Sequence, residues 1–149
     1  MTDKSAFSDD EWHALTEAPL LITTAMYMAG EHGPISTIKE AAASAKAITH
    51  PGDRGAANIL IGEIVAEANT KENRHEMKEQ RGATPEATAD AAIAELAGAA
   101  AALKKVPTDE ALQVREWLVD IAHSIAASAK SVNDTEQATI DKIARALAG

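Results

Sequence analysis

Glu72-Asn73-Arg74-His75 and Asp120-Ile121-Ala122-His123 each place a carboxylate three residues before an imidazole. On a helix that spacing puts both side chains on one face. Pairs of such motifs on facing helices are how helical bundles hold two metal ions. The phases of the neighbouring apolar residues oppose that chemistry here. At 100° per residue, His75 falls within about 20° of Ile64, while Glu72 falls about 80° off that stripe. Asp120 falls about 100° from Ile121 and His123 about 160° from it, away from the seam running from Val114 to Ile125. Ligands of a di-metal centre must converge inside the bundle, and one of these motifs faces largely outward. The expectation is therefore two solvated faces with His75 half-buried. A divalent metal held by Glu72, His75, Asp120 and His123 is the alternative.

A third candidate lies in "AGEHGPIS", residues 29–36, where Glu31 and His32 sit on a corner between apolar runs. Loops carry binding groups more often than the elements they join, so the pair is a candidate cation site. A histidine beside Gly33 and Pro34 also suits the end of a helix, where the dipole favours a cation. The corner is read as structural on that ground. Nucleophilic catalysis has weaker support: Ser36 and Ser44 lack a His-acid relay, and Ser36 reads as a helix cap. "GDRGAANILIG" lacks the Gly-Lys-Ser/Thr run that cradles phosphate and magnesium.

The elements that must position these residues are helices. Roughly a quarter of the chain is alanine, the best intrinsic helix former. Aromatic residues make up only 3%. A core of small side chains draws its stability from many close helix contacts rather than from a few large anchors. Hydrophobic residues reach 46% and charged residues 25% over 149 residues, the balance of one soluble domain. The net charge of -9 is spread along the chain, which argues against a nucleic-acid or anionic-membrane surface. Arg74, Lys78 and Arg81 interleave with Glu72, Glu76 and Glu79, a pattern of helix pairing rather than of polyanion binding. Cysteine is absent, so thiol chemistry, disulfides and Cys-based zinc sites are excluded. No run approaches 18 apolar residues and "MTDKSAFSDDEW" has no apolar signal core, so the expected location is the cytoplasm, with no integral membrane segment.

Capping signals divide the chain. Ser8-Asp9-Asp10-Glu11 is a capping-box pattern, and Phe7 with Trp12 forms a hydrophobic staple across it. Pro19 predicts a break, with a second helix from Pro19 to Ala29 carrying Leu21, Ala25 and Met28. Ser36 starts a helix through Ile38, Ala42, Ala45 and Ile48. Pro51 and Gly52 end it. A long helix follows over roughly 56–80, with Leu60, Ile61, Ile64, Val65 and Ala68 as its stripe, and Gly82 stops it. Thr84 and Pro85 cap the next helix, which Lys104 and Lys105 close. Thr108 caps a helix with the seam Ala111, Val114, Leu118, Ile121, Ile125. Asn133-Asp134-Thr135-Glu136 repeats the capping box, and Ile140, Ile143, Ala144 and Leu147 close the chain. The expected fold is all-α, a single domain over 1–149, with about seven helices.

Residues 21–48 set against 118–145, an offset of 97, align Leu21 with Leu118, Ala25 with Ala122 and Met28 with Ile125. Ile35 falls on Val132, Ser36 on Asn133 and Ala47 on Ala144. Each copy reads as helix, corner, apolar plug, cap and helix, which predicts an internal duplication. These segments resemble the TerB-like domains, an all-helical family named for tellurite-resistance proteins. In that family each half has an Asp-Gly corner, a β-branched plug, a Ser/Thr/Asn cap and a first-turn Glu. Gly33, Ile35 and Ser36 match in "HGPISTIK", with His32 in the Asp position and Lys39 in place of the Glu. Val132, Asn133, Glu136, Ile140, Ile143, Ala144 and Leu147 match in the second copy, with Ala129-Lys130 in place of Asp-Gly. The departures fall on the acidic corners. The resemblance implies a non-enzymatic interaction or scaffold protein of a stress-related system, whose partner is another protein or a second copy of the chain. No cofactor is expected beyond the alternative divalent metal.

Overall fold

The computed structural model describes residues 2–29, 58–68, 85–128 and 134–148. Among these residues the structure is all-helical, with no strand. A 3-10 turn at Lys4–Ala6 precedes α1 (Asp9–Ala29), α2 (Ile59–Ala68), α3 (Pro85–Leu103), α4 (Thr108–Ser128) and α5 (Asp134–Ala148). The seven-helix expectation has five counterparts among the described residues. The expected helix from Ser36 lies outside them, as do the plugs Ile35 and Val132 on which the duplication rests.

The start of α1 follows the capping reading, with one change. Glu11 N–H donates to Ser8 Oγ at 3.3 Å, and the Ser8 hydroxyl donates to Glu11 Oε1 at 3.1 Å. The glutamate thus returns to the cap's hydroxyl rather than to its amide. The Phe7 and Trp12 rings lie 6.1 Å apart, which is the staple.

The break at Pro19 does not occur. Pro19 lies inside one helix of 21 residues, although proline removes a backbone donor and strains the helix by about 3 kcal/mol. The reason is the face that continues through it. Leu15, Ala18, Leu21, Ile22, Ala25 and Met26 are all buried, and splitting the helix would expose them. Burying a Leu or Ile stabilises by about 1.5–3 kcal/mol each, enough together to outweigh the proline. Thr23 Oγ1 donates to Pro19 O at 2.8 Å and Thr24 Oγ1 to Leu20 O at 2.9 Å, so hydroxyls back-bond to the carbonyls of this stretch.

Helix α1 is the hub of the bundle. It packs most extensively on α3 and also meets α2, α4 and α5, while α5 packs on α3 and α4. The alanines permit this. Ala89, Ala92, Ala99 and Ala102 of α3 are buried around Leu96 and Leu103. A Cβ placed on Gly98 would stand 3.2 Å from the Ala14 Cβ, so the two helices approach closely there. Pro85 opens α3 as expected. Beyond Leu103 the chain tightens, with Lys104, Lys105 and Val106 N–H groups donating three residues back.

Two end assignments change. Helix α4 begins at Thr108, and Ala111 N–H closes the first helical bond on Pro107 O at 2.9 Å. Pro107, rather than Thr108, therefore occupies the cap position. Helix α2 begins at Ile59, not near residue 56, because Asn58 caps it: Ile61 N–H donates to Asn58 Oδ1 at 3.3 Å. The seam Ala111, Val114, Leu118, Ile121, Ile125 is buried throughout, as are Leu60, Ile61 and Ile64. In α5, Ile140, Ile143 and Leu147 are buried, but Ala144 is exposed.

Candidate functional site

Asp120 and His123 both lie on the exposed side of α4, opposite its buried seam, as their phases require. There they border a surface groove between α4 and α5. The groove encloses about 430 Å³ and is lined by Arg115, Glu116, Val119, Asp120, His123, Ala144 and Leu147. The five α4 residues span an arc of about 140° at 100° per residue. They form a second stripe beside the core seam.

Arg115 fixes the groove's wall. Its Nε donates to the backbone oxygen of Leu147 at 2.9 Å, across 32 residues of chain. The last carbonyls of a helix have no partner within it and carry the negative end of its dipole. A guanidinium suits that position in both charge and geometry. Arg145 in the last turn of α5 adds a second cation at the same helix end. The groove therefore combines an apolar floor, Val119 and Ala144 above the buried Leu147, and a rim of both charge signs. Ala144 is exposed on this floor.

The other sequence candidates, Glu31, His32, Glu72 and His75, lie outside the described residues. Asp120 and His123 are brought together on the groove rim. Among the described residues no group of three or more His, Asp or Glu side chains is arranged to hold a metal ion.

Two positions that shape this region escaped the sequence reading. Arg115 carries a signal in hindsight: Arg115, Glu116, Val119, Asp120 and His123 recur at helical spacing one stripe away from the seam. Asn58 carries little signal in the sequence. It is buried at 2% exposure, and its amide donates to Glu110 O at 3.3 Å and to Gln113 Oε1 at 3.0 Å. One side chain thus caps α2 and ties it to the first turns of α4.

A second polar cluster lies at the opposite end of α4. Glu110 accepts from Thr2 N–H at 3.1 Å and from the Thr2 hydroxyl at 2.6 Å. These bonds, with the Thr2 hydroxyl first, hold its carboxyl below the usual range. Glu11 Oε1 takes Lys105 Nζ at 2.6 Å, and this bond chiefly lowers the Glu11 carboxyl. Asp3 caps the 3-10 turn by accepting from Ser5 N–H at 2.9 Å, and its carboxyl is lowered by Ser5, hydroxyl first. No described helix is long and apolar enough to cross a membrane.

Set against protein-family models, curated proteins and solved structures, the chain matches none of them.

Proposed function

We propose that the chain is a non-enzymatic helical interaction protein that contacts a protein partner through the α4–α5 groove. The observation that carries this reading is the groove's make-up. Val119 and Ala144 offer an apolar floor above the buried Leu147, and Arg115, Glu116, Asp120 and His123 form a charged rim around it. An apolar centre inside a polar rim is the anatomy of a protein contact surface. The groove is built on two helices joined by the Arg115–Leu147 bond, so its shape exists before any partner arrives, which lowers the ordering cost of binding. A TerB-like plan with an internal duplication and a stress-related role belongs to this reading. Its support is the repeat of helix, corner, plug, cap and helix in the sequence. If the duplication holds, Ile35→Ala and Val132→Ala each cost about 2–4 kcal/mol as buried plugs. Thermal melts in which either variant matches the parent chain overturn the duplication.

A divalent metal at Asp120 and His123, with Glu72 and His75, is the second reading. Its support is that Asp120 and His123 share the groove rim. Elemental analysis of protein purified without a His tag separates the two. Stoichiometric iron, manganese or zinc that is lost in Asp120→Ala and His123→Ala favours the metal. Metal-free protein that still engages its partner through the groove favours the interaction module.

A further inference from the structure

Residues 2–7 are tied to two helices distant in sequence, α4 and α2, and to the start of the adjacent α1. Thr2 donates its amide and hydroxyl to Glu110 of α4. Lys4 N–H donates to Glu63 Oε2 of α2 at 2.7 Å. Lys4 Nζ stands 5.7 Å from the centroid of the Trp12 ring on α1, and the Phe7 ring lies beside the same indole. Two further facts bear on how firmly this segment is held. Its 3-10 turn contains no buried residue, and Phe7 is only partly buried against the core, so polar anchors supply much of its hold. The indole it covers is 7% exposed, and Trp12 Nε1 has no hydrogen-bond partner; neither has the buried Glu11 Oε2 next to it. A buried donor or acceptor without a partner opposes the closed state, and hydration on opening relieves it.

We propose that residues 2–7 form a latch, held by Glu110 and Glu63, that opens as a unit and uncovers Trp12 while the described helices stay folded. The weak burial of the segment sets its opening apart from global unfolding. The Phe7–Trp12 contact is the part that breaks. The Glu11–Lys105 pair does not involve residues 2–7 and stays closed. The latch lies on the α1–α2–α4 side and leaves the α4–α5 groove intact, so the device does not depend on the groove's function.

The experiment uses the full chain and two readouts. Amide hydrogen exchange compares Lys4 N–H with core amides such as Leu118. Lys4 is expected to exchange at a rate that denaturant barely changes, roughly tenfold or more faster than the core. In Glu63→Ala/Glu110→Ala, protection at Lys4 is lost and acrylamide quenching of tryptophan rises, with the helical circular dichroism unchanged. Trp12→Phe removes that rise and assigns it to the covered indole, since Trp117 is buried at 2% exposure. If Lys4 exchanges only with the global unfolding that releases Leu118, residues 2–7 are an integral part of the fold and the latch is overturned. Unchanged quenching and Lys4 protection in the double variant overturn it as well. If the double variant loses its helical signal, Glu63 and Glu110 hold the bundle itself and the separability claimed here is wrong.

Discussion

Arg115 Nε donates to the main-chain oxygen of Leu147 at 2.9 Å, joining the middle of α4 to the last turn of α5. The bond puts a permanent cation at the negative end of a helix, and it forms one wall of the groove lined by Val119 and Ala144. Stability and site geometry thus meet in one side chain.

Arg115→Ala is expected to destabilise the protein by about 1 kcal/mol, from a charge-assisted hydrogen bond in a half-exposed setting and the lost helix-end charge. For a chain of this size that lowers the melting temperature by roughly 2–4 °C. Arg115→Lys keeps the charge but not the Nε geometry, so it should recover only part of the loss. Differential scanning calorimetry of the two variants ranks them. Equal stability of Arg115→Ala and the parent chain contradicts the assignment.

Asn58→Ala removes a helix cap and two cross-helix bonds together. A cap is worth about 1 kcal/mol, and the carbonyl oxygens of Glu110 and Gln113 lose a buried donor, so the expected cost is roughly 2 kcal/mol. Asn58→Asp retains the cap acceptor but turns a carboxylate oxygen toward those two acceptors. It should be at least as damaging as alanine at neutral pH. Urea titrations of both variants test the order, and a fully stable Asn58→Asp excludes the donor role of the amide.

A Cβ on Gly98 would stand 3.2 Å from the Ala14 Cβ, a close approach within the α1–α3 contact. Gly98→Val forces branched bulk against a Cβ that is fixed to its own helix. Overpacking of this kind costs about 1–3 kcal/mol. Ala14→Gly added to Gly98→Val should return part of that loss, apart from its own penalty as a helical glycine. Thermal melts of the single and double variants measure the coupling. Additive losses mean that the two positions do not touch.

Glu110, Glu11 and Asp3 all have carboxyls held below their ordinary values. A carboxylate lowered in the folded state contributes stability at pH values above its unfolded pKa, roughly 4. That contribution is lost as the pH falls through the lower folded value. Stability should therefore decline below about pH 4.5, and Glu110→Gln should flatten that decline by removing one of the three groups. Melting temperatures from pH 7 to pH 2.5 test the point. A Glu110→Gln curve parallel to the parent curve refutes the Thr2–Glu110 linkage.

The helices with strong apolar spacing were legible from the sequence. The α4 seam from Ala111 to Ile125 is buried residue for residue, because a stripe recurring at three and four allows only one buried face. The Phe7–Trp12 staple was legible because it is local. Pro19 was misjudged because its rule describes the backbone alone, whereas the face running from Leu15 to Met26 is settled by packing on α3. Asn58 was missed because its role depends on Glu110 and Gln113, more than fifty residues away. The outward phase of Asp120 and His123 was legible. The groove beside them was not, since its far wall comes from α5.

Site-specific photocrosslinking in living cells tests directly whether the α4–α5 groove is a contact surface. A photoreactive side chain replaces exposed Ala144 on the groove floor, and exposed Ala94 on α3 serves as the control position. A discrete crosslinked protein species is expected from position 144 and not from position 94. That species should disappear when Val119→Asp places a charge on the floor while the circular dichroism stays helical. Identical crosslinking from positions 144 and 94, or a species that survives Val119→Asp, contradicts the groove as the contact surface.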